Sequence, residues 1–82
     1  MVFEVLNRLK WKGGLEKCEI VIRHRGVPGD VMVVAGSSLT EIKRDHFMYM
    51  NDRSEETFIP LHRILEVRLE GKVLWKRKPR EV

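Results

Sequence analysis

The sequence of 82 residues contains no glutamine, and its amide side chains are limited to Asn7 and Asn51. Its single cysteine, Cys18, has no internal partner, which excludes a disulfide framework and suits a reducing compartment. Closely spaced Cys and His pairs are missing too: Cys18 and His24 stand six apart, and zinc sites want such ligands two to four apart within a pair. No metal and no cofactor are expected. Aromatic residues number only six, and most fall on apolar faces, which leaves no room for an extended base-stacking platform. No apolar run approaches the ~20 residues of a membrane-crossing helix. Met1-Val2-Phe3-Glu4 lacks the basic start and apolar core of a signal peptide. The expectation is a cytoplasmic protein with no membrane partner.

What is present argues for a folded globule. Apolar residues make up 43% and charged residues 34%, with both signs interspersed. Mixed charge and few amides form a profile that suits a thermophile. The formal charge of +4 is concentrated at the C-terminus, where Lys76, Arg77, Lys78 and Arg80 are opposed only by Glu81. The body of the chain is close to neutral. Residues 1–82 are read as a single domain, with 76–82 a basic tail that either attracts phosphates without specificity or is simply solvated.

Phe3, Leu6 and Leu9 recur at three-residue spacing, with Glu4 early and Lys10 late, which predicts a short helix ending before Gly13-Gly14. Trp11, just beyond it, is read first as a lid over the core. From Leu15 to Arg25 the period changes to two: Cys18, Ile20, Ile22 and His24 alternate with Lys17, Glu19, Val21, Arg23 and Arg25. Gly26-Val27-Pro28-Gly29-Asp30 is a turn-rich connection, and the apolar run Val31 to Ala35 reads as a central strand. Leu39 to Ile42 is taken as extended, although Ser38 with Glu41 would also suit a capping box. His46 to Met50 is a strand with Phe47 and Tyr49 on one face. Asn51 to Glu56 is a polar loop, after which Thr57 to Ile59 re-enters the sheet.

The most informative stretch follows. Phe58-Ile59-Pro60 ends an apolar run at a residue that cannot donate to a sheet ladder, so Pro60 belongs at a strand end. His62 and Arg63 stand directly after it. Ile64 or Leu65, then Val67 and Leu69, alternate with Glu66, Arg68 and Glu70. Glu70-Gly71 is the turn of a β-hairpin that returns through Lys72-Val73-Leu74-Trp75. One helix and five or six short strands with short connections give an α+β domain: a mainly antiparallel sheet with the N-terminal helix packed on it.

Ile59-Pro60-x-His62-Arg63-Ile64, a strand, a glycine turn and Val73-Leu74-Trp75-x-Arg77 resemble the RNA cyclic-group end recognition domain, a family of small archaeal proteins long classed as a domain of unknown function. The resemblance extends to Leu6-Asn7-Arg8-Leu9-Lys10-Trp11 and to His24-Arg25-Gly26-x-x-Gly29-Asp30, and so covers nearly the whole chain in order. It implies a module that binds RNA 3′ ends carrying a 2′,3′-cyclic phosphate, with RNA-processing enzymes as further partners. It implies no catalytic role.

The residues can be weighed apart from the resemblance. A terminal phosphate is held by an arginine fork and turn N–H groups. Arg63, Arg25 and Arg77 are the donors that fit, with His62 and His24 beside them. The alternative is that Arg63 and Arg25 merely pair with Glu66, Glu19 or Asp30 on the sheet surface. Trp11 or Tyr49 could stack on the last base. An enzyme would use His24 and His62 as an acid/base pair across one phosphate. The doubled His-x-Thr or His-x-Ser of two-histidine phosphoesterases is absent, since Gly26, Met48 and Ile64 follow the three histidines at that spacing. A third reading is a protein-interaction module that pairs through an exposed hairpin edge. Catalytic residues are therefore not assigned.

Overall fold

The computed structural model describes residues 2–24, 26 and 28–77. Helix α1, Val2–Lys12, buries Val2, Leu6 and Leu9. Gly13 takes a φ of 76°, and the Gly14 N–H reaches back to the Leu9 carbonyl at 3.0 Å. This left-handed glycine cap ends the helix where the sequence placed its stop.

Seven strands follow, in two antiparallel sheets. β1 (Cys18–Arg23), β2 (Val31–Ala35), β6 (Ile64–Leu69) and β7 (Lys72–Lys76) form one sheet in the order β2-β1-β6-β7. β3 (Leu39–Ile42), β4 (His46–Met50) and β5 (Glu56–Pro60) form the other, in that order. The α+β class and the antiparallel pairing are as expected. The strands, however, are more numerous and are divided between two sheets. A short 3₁₀ turn, Leu61–Arg63, carries the chain from β5 of the second sheet into β6 of the first.

One core serves both sheets and the helix. Leu6, Ile20, Ile22, Phe47, Ile64 and Val67 are fully buried, and Leu61 joins them from the turn. Burying each such side chain stabilises by roughly 1.5–3 kcal/mol. Cys18 lies in this core, its Sγ 3.3 Å from the Gly14 carbonyl, and burial pushes its thiol pKa up.

Three expectations are corrected. β2 is an edge strand, not a central one, with Val31 and Val33 exposed on the face away from the helix. A run of β-branched residues marks a strand without saying how many neighbours it has. Val21, placed on the outer face of β1, is buried between its cross-strand partners Val33 and Glu66. Trp11 does not cover the core: it is 81% exposed on the last turn of α1.

The Glu70-Gly71 hairpin turn has φ values of 50° and 86°, both left-handed, as a tight two-residue hairpin requires. β6 carries an irregularity next to the 3₁₀ turn. Ile22 pairs with Ile64 and Val21 with Glu66, so Leu65 is an extra residue. The bulge resolves the alternatives Ile64 and Leu65: Ile64 enters the core and Leu65 is half-buried.

Gly36 is buried beneath the Leu15 backbone, where an added Cβ would meet the Leu15 carbonyl oxygen at 2.0 Å. Gly36→Ala is expected to cost about 1–3 kcal/mol or more, read as a lowered denaturant midpoint. A midpoint equal to wild type would show that these two segments do not pack as described.

Candidate functional site

Strand pairing brings several chain segments to one end of the fold. β1 runs antiparallel to β2 and β6, with Arg23 opposite Val31 and Ile22 opposite Ile64. Arg23 and His24, leaving β1, therefore arrive beside the start of β6 and the turn before it. β7 ends at the same edge, where Lys76 faces Glu66 and the Arg77 N–H binds the Leu65 carbonyl at 2.9 Å. From the second sheet, His46 pairs with Pro60, and the Leu61 N–H binds the Asp45 carbonyl at 3.0 Å. The 3₁₀ turn Leu61–Arg63 lies in the middle of this assembly.

His62 and Arg63 sit on the turn, and both are exposed. The competing explanation for Arg63, an ion pair with Glu66, is not what forms: Glu66 binds Arg68 through Nε at 2.6 Å and Nη2 at 2.5 Å. Among the described residues no carboxylate pairs with Arg63 or Arg23. His24 is half-buried, and its N–H binds the Asp30 carbonyl at 2.8 Å, closing the loop between β1 and β2. Gly26, Gly29 and Asp30 in that loop all have positive φ. Arg25 lies outside the described residues. An open depression of about 390 Å³ adjoins the loop, lined by Arg23, Gly29, Asp30, Val31 and Leu65.

Arg77, expected among the phosphate donors, is turned inward. Its Nε donates to the Ile64 carbonyl at 2.9 Å and its Nη2 to the Leu61 carbonyl at 3.2 Å. The guanidinium carbon sits 5.2 Å from the Trp75 ring centroid. Arg77 thus holds both ends of the turn that carries His62 and Arg63. The sequence shows the arginine but not the long-range pairing of β7 that aims it.

The two residues nominated for stacking are elsewhere. Trp11 is exposed on the last turn of α1, an element that contributes none of the segments brought together here. Tyr49 is half-buried against Phe47, with ring centroids 6.2 Å apart. Burial, assisted by Asp52, pushes its phenol pKa up. A different aromatic pair stands at the assembled end: His46 stacks on Phe58 with centroids 4.4 Å apart and planes 29° from parallel. The His46 Nδ1 is 2.7 Å from Asp45 Oδ1, and this hydrogen bond lowers the Asp45 pKa against a smaller desolvation push. Alternation sets His46 on the face opposite Phe47 and Tyr49, and the sequence assigns it no role; its partner on β5 depends on a register that local residues do not show.

A family model described as the MJ1316 RNA cyclic group end recognition domain matches residues 1–77. The chain belongs to this family. It is 35% identical to the UPF0248 protein MJ1316 of Methanocaldococcus jannaschii, over 95% of each chain. It is 38% identical to UPF0248 protein PF1300 of Pyrococcus furiosus, covering 96% of this chain and 90% of that one. A UPF0248 protein of Pyrobaculum islandicum is 33% identical, covering 92% and 87%. All three organisms are archaea. No solved structure gives a significant match.

The clamp and the phosphate-donor readings of Arg77 differ in measurable ways. Arg77→Met leaves the Leu61 and Ile64 carbonyls without this donor and should destabilise by about 1–3 kcal/mol. For an RNA ligand, the clamp reading expects Arg77→Met to weaken binding at an unchanged salt slope, whereas an Arg77 that contacted phosphate would lower the slope by roughly 0.7 at unchanged stability.

Proposed function

We propose that this chain is a binding module for phosphorylated RNA ends, with the 2′,3′-cyclic phosphate as the preferred group. In this reading it acts beside separate RNA-processing enzymes and does not turn the end over. The observation that carries it is Arg63: exposed, carboxylate-free among the described residues, and mounted with His62 on a turn held by Arg77. A cyclic phosphate bears one negative charge and two exposed oxygens, which an arginine fork matches better than a lysine point charge. Because the turn is held in place, little ordering is lost when the end binds. Arg23, His24 and, from the loop outside the described residues, Arg25 complete the cationic surroundings. The basic residues beyond Arg77 add attraction that does not depend on the end. The family's description as a recognition domain supports binding over chemistry.

Hydrogen bonds to a charged partner contribute about 1.5–3 kcal/mol each, equivalent to roughly tenfold to a hundredfold in affinity. Arg63→Lys should therefore weaken binding to a cyclic end about tenfold while keeping the charge. His62→Ala should act similarly, and both variants should melt like wild type because the residues are exposed. The measurement uses one oligonucleotide ending in a cyclic phosphate, an open 3′ phosphate or a 3′ hydroxyl, with the cyclic end recovered intact afterwards. Equal wild-type affinity for all three ends would sink the reading. Hydrolysis abolished in both His24→Ala and His62→Ala would replace it with the enzyme.

A further inference from the structure

The outer face of the second sheet carries an aromatic surface that the phosphate site does not use. Phe58 is 54% exposed although it is a large apolar residue in a strand. One side of its ring is backed by His46, and His46 is in turn held by Asp45. Cross-strand register puts His46 opposite Pro60 and Met48 opposite Phe58, so all four share that face. Phe58 precedes Pro60 by two residues, about 7 Å along the strand, and the turn bearing His62 and Arg63 follows at once. A backed ring with its other side in solvent is a stacking platform, because every nucleobase presents a π-face to it. Charges of both signs flank this pair: Asp45 is held on His46 and Arg44 lies over the Phe3 ring, while Arg63, on the turn that follows β5, has no carboxylate partner among the described residues.

We propose that Phe58, backed by His46, stacks on the base of the terminal nucleotide whose phosphate is held at His62 and Arg63. The proposal rests on the end-binding reading and adds a base subsite to it. The ligand is thus a nucleotide end that needs its base, not a phosphate alone. The stack is indifferent to which base is present, since every base offers it a π-face.

The test uses a cyclic-phosphate oligonucleotide with 2-aminopurine as its last nucleotide, and the same oligonucleotide made abasic at that position. With wild type, the 2-aminopurine emission should be quenched on binding, and the abasic oligonucleotide should bind about tenfold more weakly. Phe58→Leu, which keeps an apolar side chain on the sheet, should lose the quench and the tenfold difference, whereas Phe58→Trp should keep both. Phe58→Leu should still prefer the cyclic end over the hydroxyl end. Quenching that survives Phe58→Leu, or equal wild-type affinity for base-bearing and abasic ends, would overturn the base subsite, including where the surface serves a protein instead. A wild type indifferent to the end group would remove the phosphate reading alone, since the quench and its loss in Phe58→Leu are read independently.

Discussion

Two hydrogen bonds from Arg77, to the carbonyls of Ile64 and Leu61, fix the junction on which the functional reading depends. Within the 3₁₀ turn the Leu61 carbonyl already accepts from the Ile64 N–H; Arg77 adds a second donor there and reaches the Ile64 carbonyl just beyond it, tying the turn to the end of β7. Other restraints act with Arg77. Pro60 holds its φ at −63°, the Leu61 side chain is buried, and the Leu61 N–H is tied to the Asp45 carbonyl. The restraints reach the turn from the end of β7, from β5 and from the segment before β4, so both sheets hold it. The outward residues His62 and Arg63 make none of these contacts, which leaves them available to a ligand at no cost to the fold.

The bulge at Leu65 belongs to the same construction. Without the extra residue, the alternation set by Val67 would place Leu65 in the core and Ile64 outside. The bulge instead seats Ile64 beneath the turn, between the strand and the helix, while Leu65 lines the open depression beside Arg23. A bulge also increases local twist, and this one sits where the chain changes sheets. One inserted residue therefore anchors the turn from below and shapes the surface beside it.

The sequence disclosed what depends on local chemistry. The Gly13 cap of α1, the hairpin at Glu70-Gly71, the strand end at Pro60 and the extended run of β4 could all be read from neighbouring residues. Long-range pairing could not. β2 has the composition of an interior strand and lies at an edge, because composition records side-chain fit and not the count of neighbours. Arg77 looked like one more cation of a basic tail, and only the pairing of β7 with β6 turns it toward the carbonyls. Phe58 read as part of an apolar run, and its exposure follows from its place opposite Met48 on the outer face of an edge strand. The placement of His62 and Arg63 was legible because a proline and a hairpin bracket them within the sequence itself.

A domain of this size has little interior to hollow out, and its core of buried side chains is already shared by three structural elements. Specificity for a ligand then has to come from a few groups held rigidly at the surface, not from an enclosing pocket. The junction between two sheets is suited to this, because each sheet offers a different chemistry across a short distance. In the proposed reading the turn supplies the arginine fork, the first sheet the cationic surroundings, and the second sheet the aromatic face. An internal stretch of RNA could meet the cations and the ring as well. It could not bring a cyclic phosphate to Arg63, because forming that group uses both the 2′ and 3′ oxygens and so terminates the chain. The preference for an end would then reside in the chemistry of the ligand, and the protein would need only to hold one fork and one ring at a fixed separation.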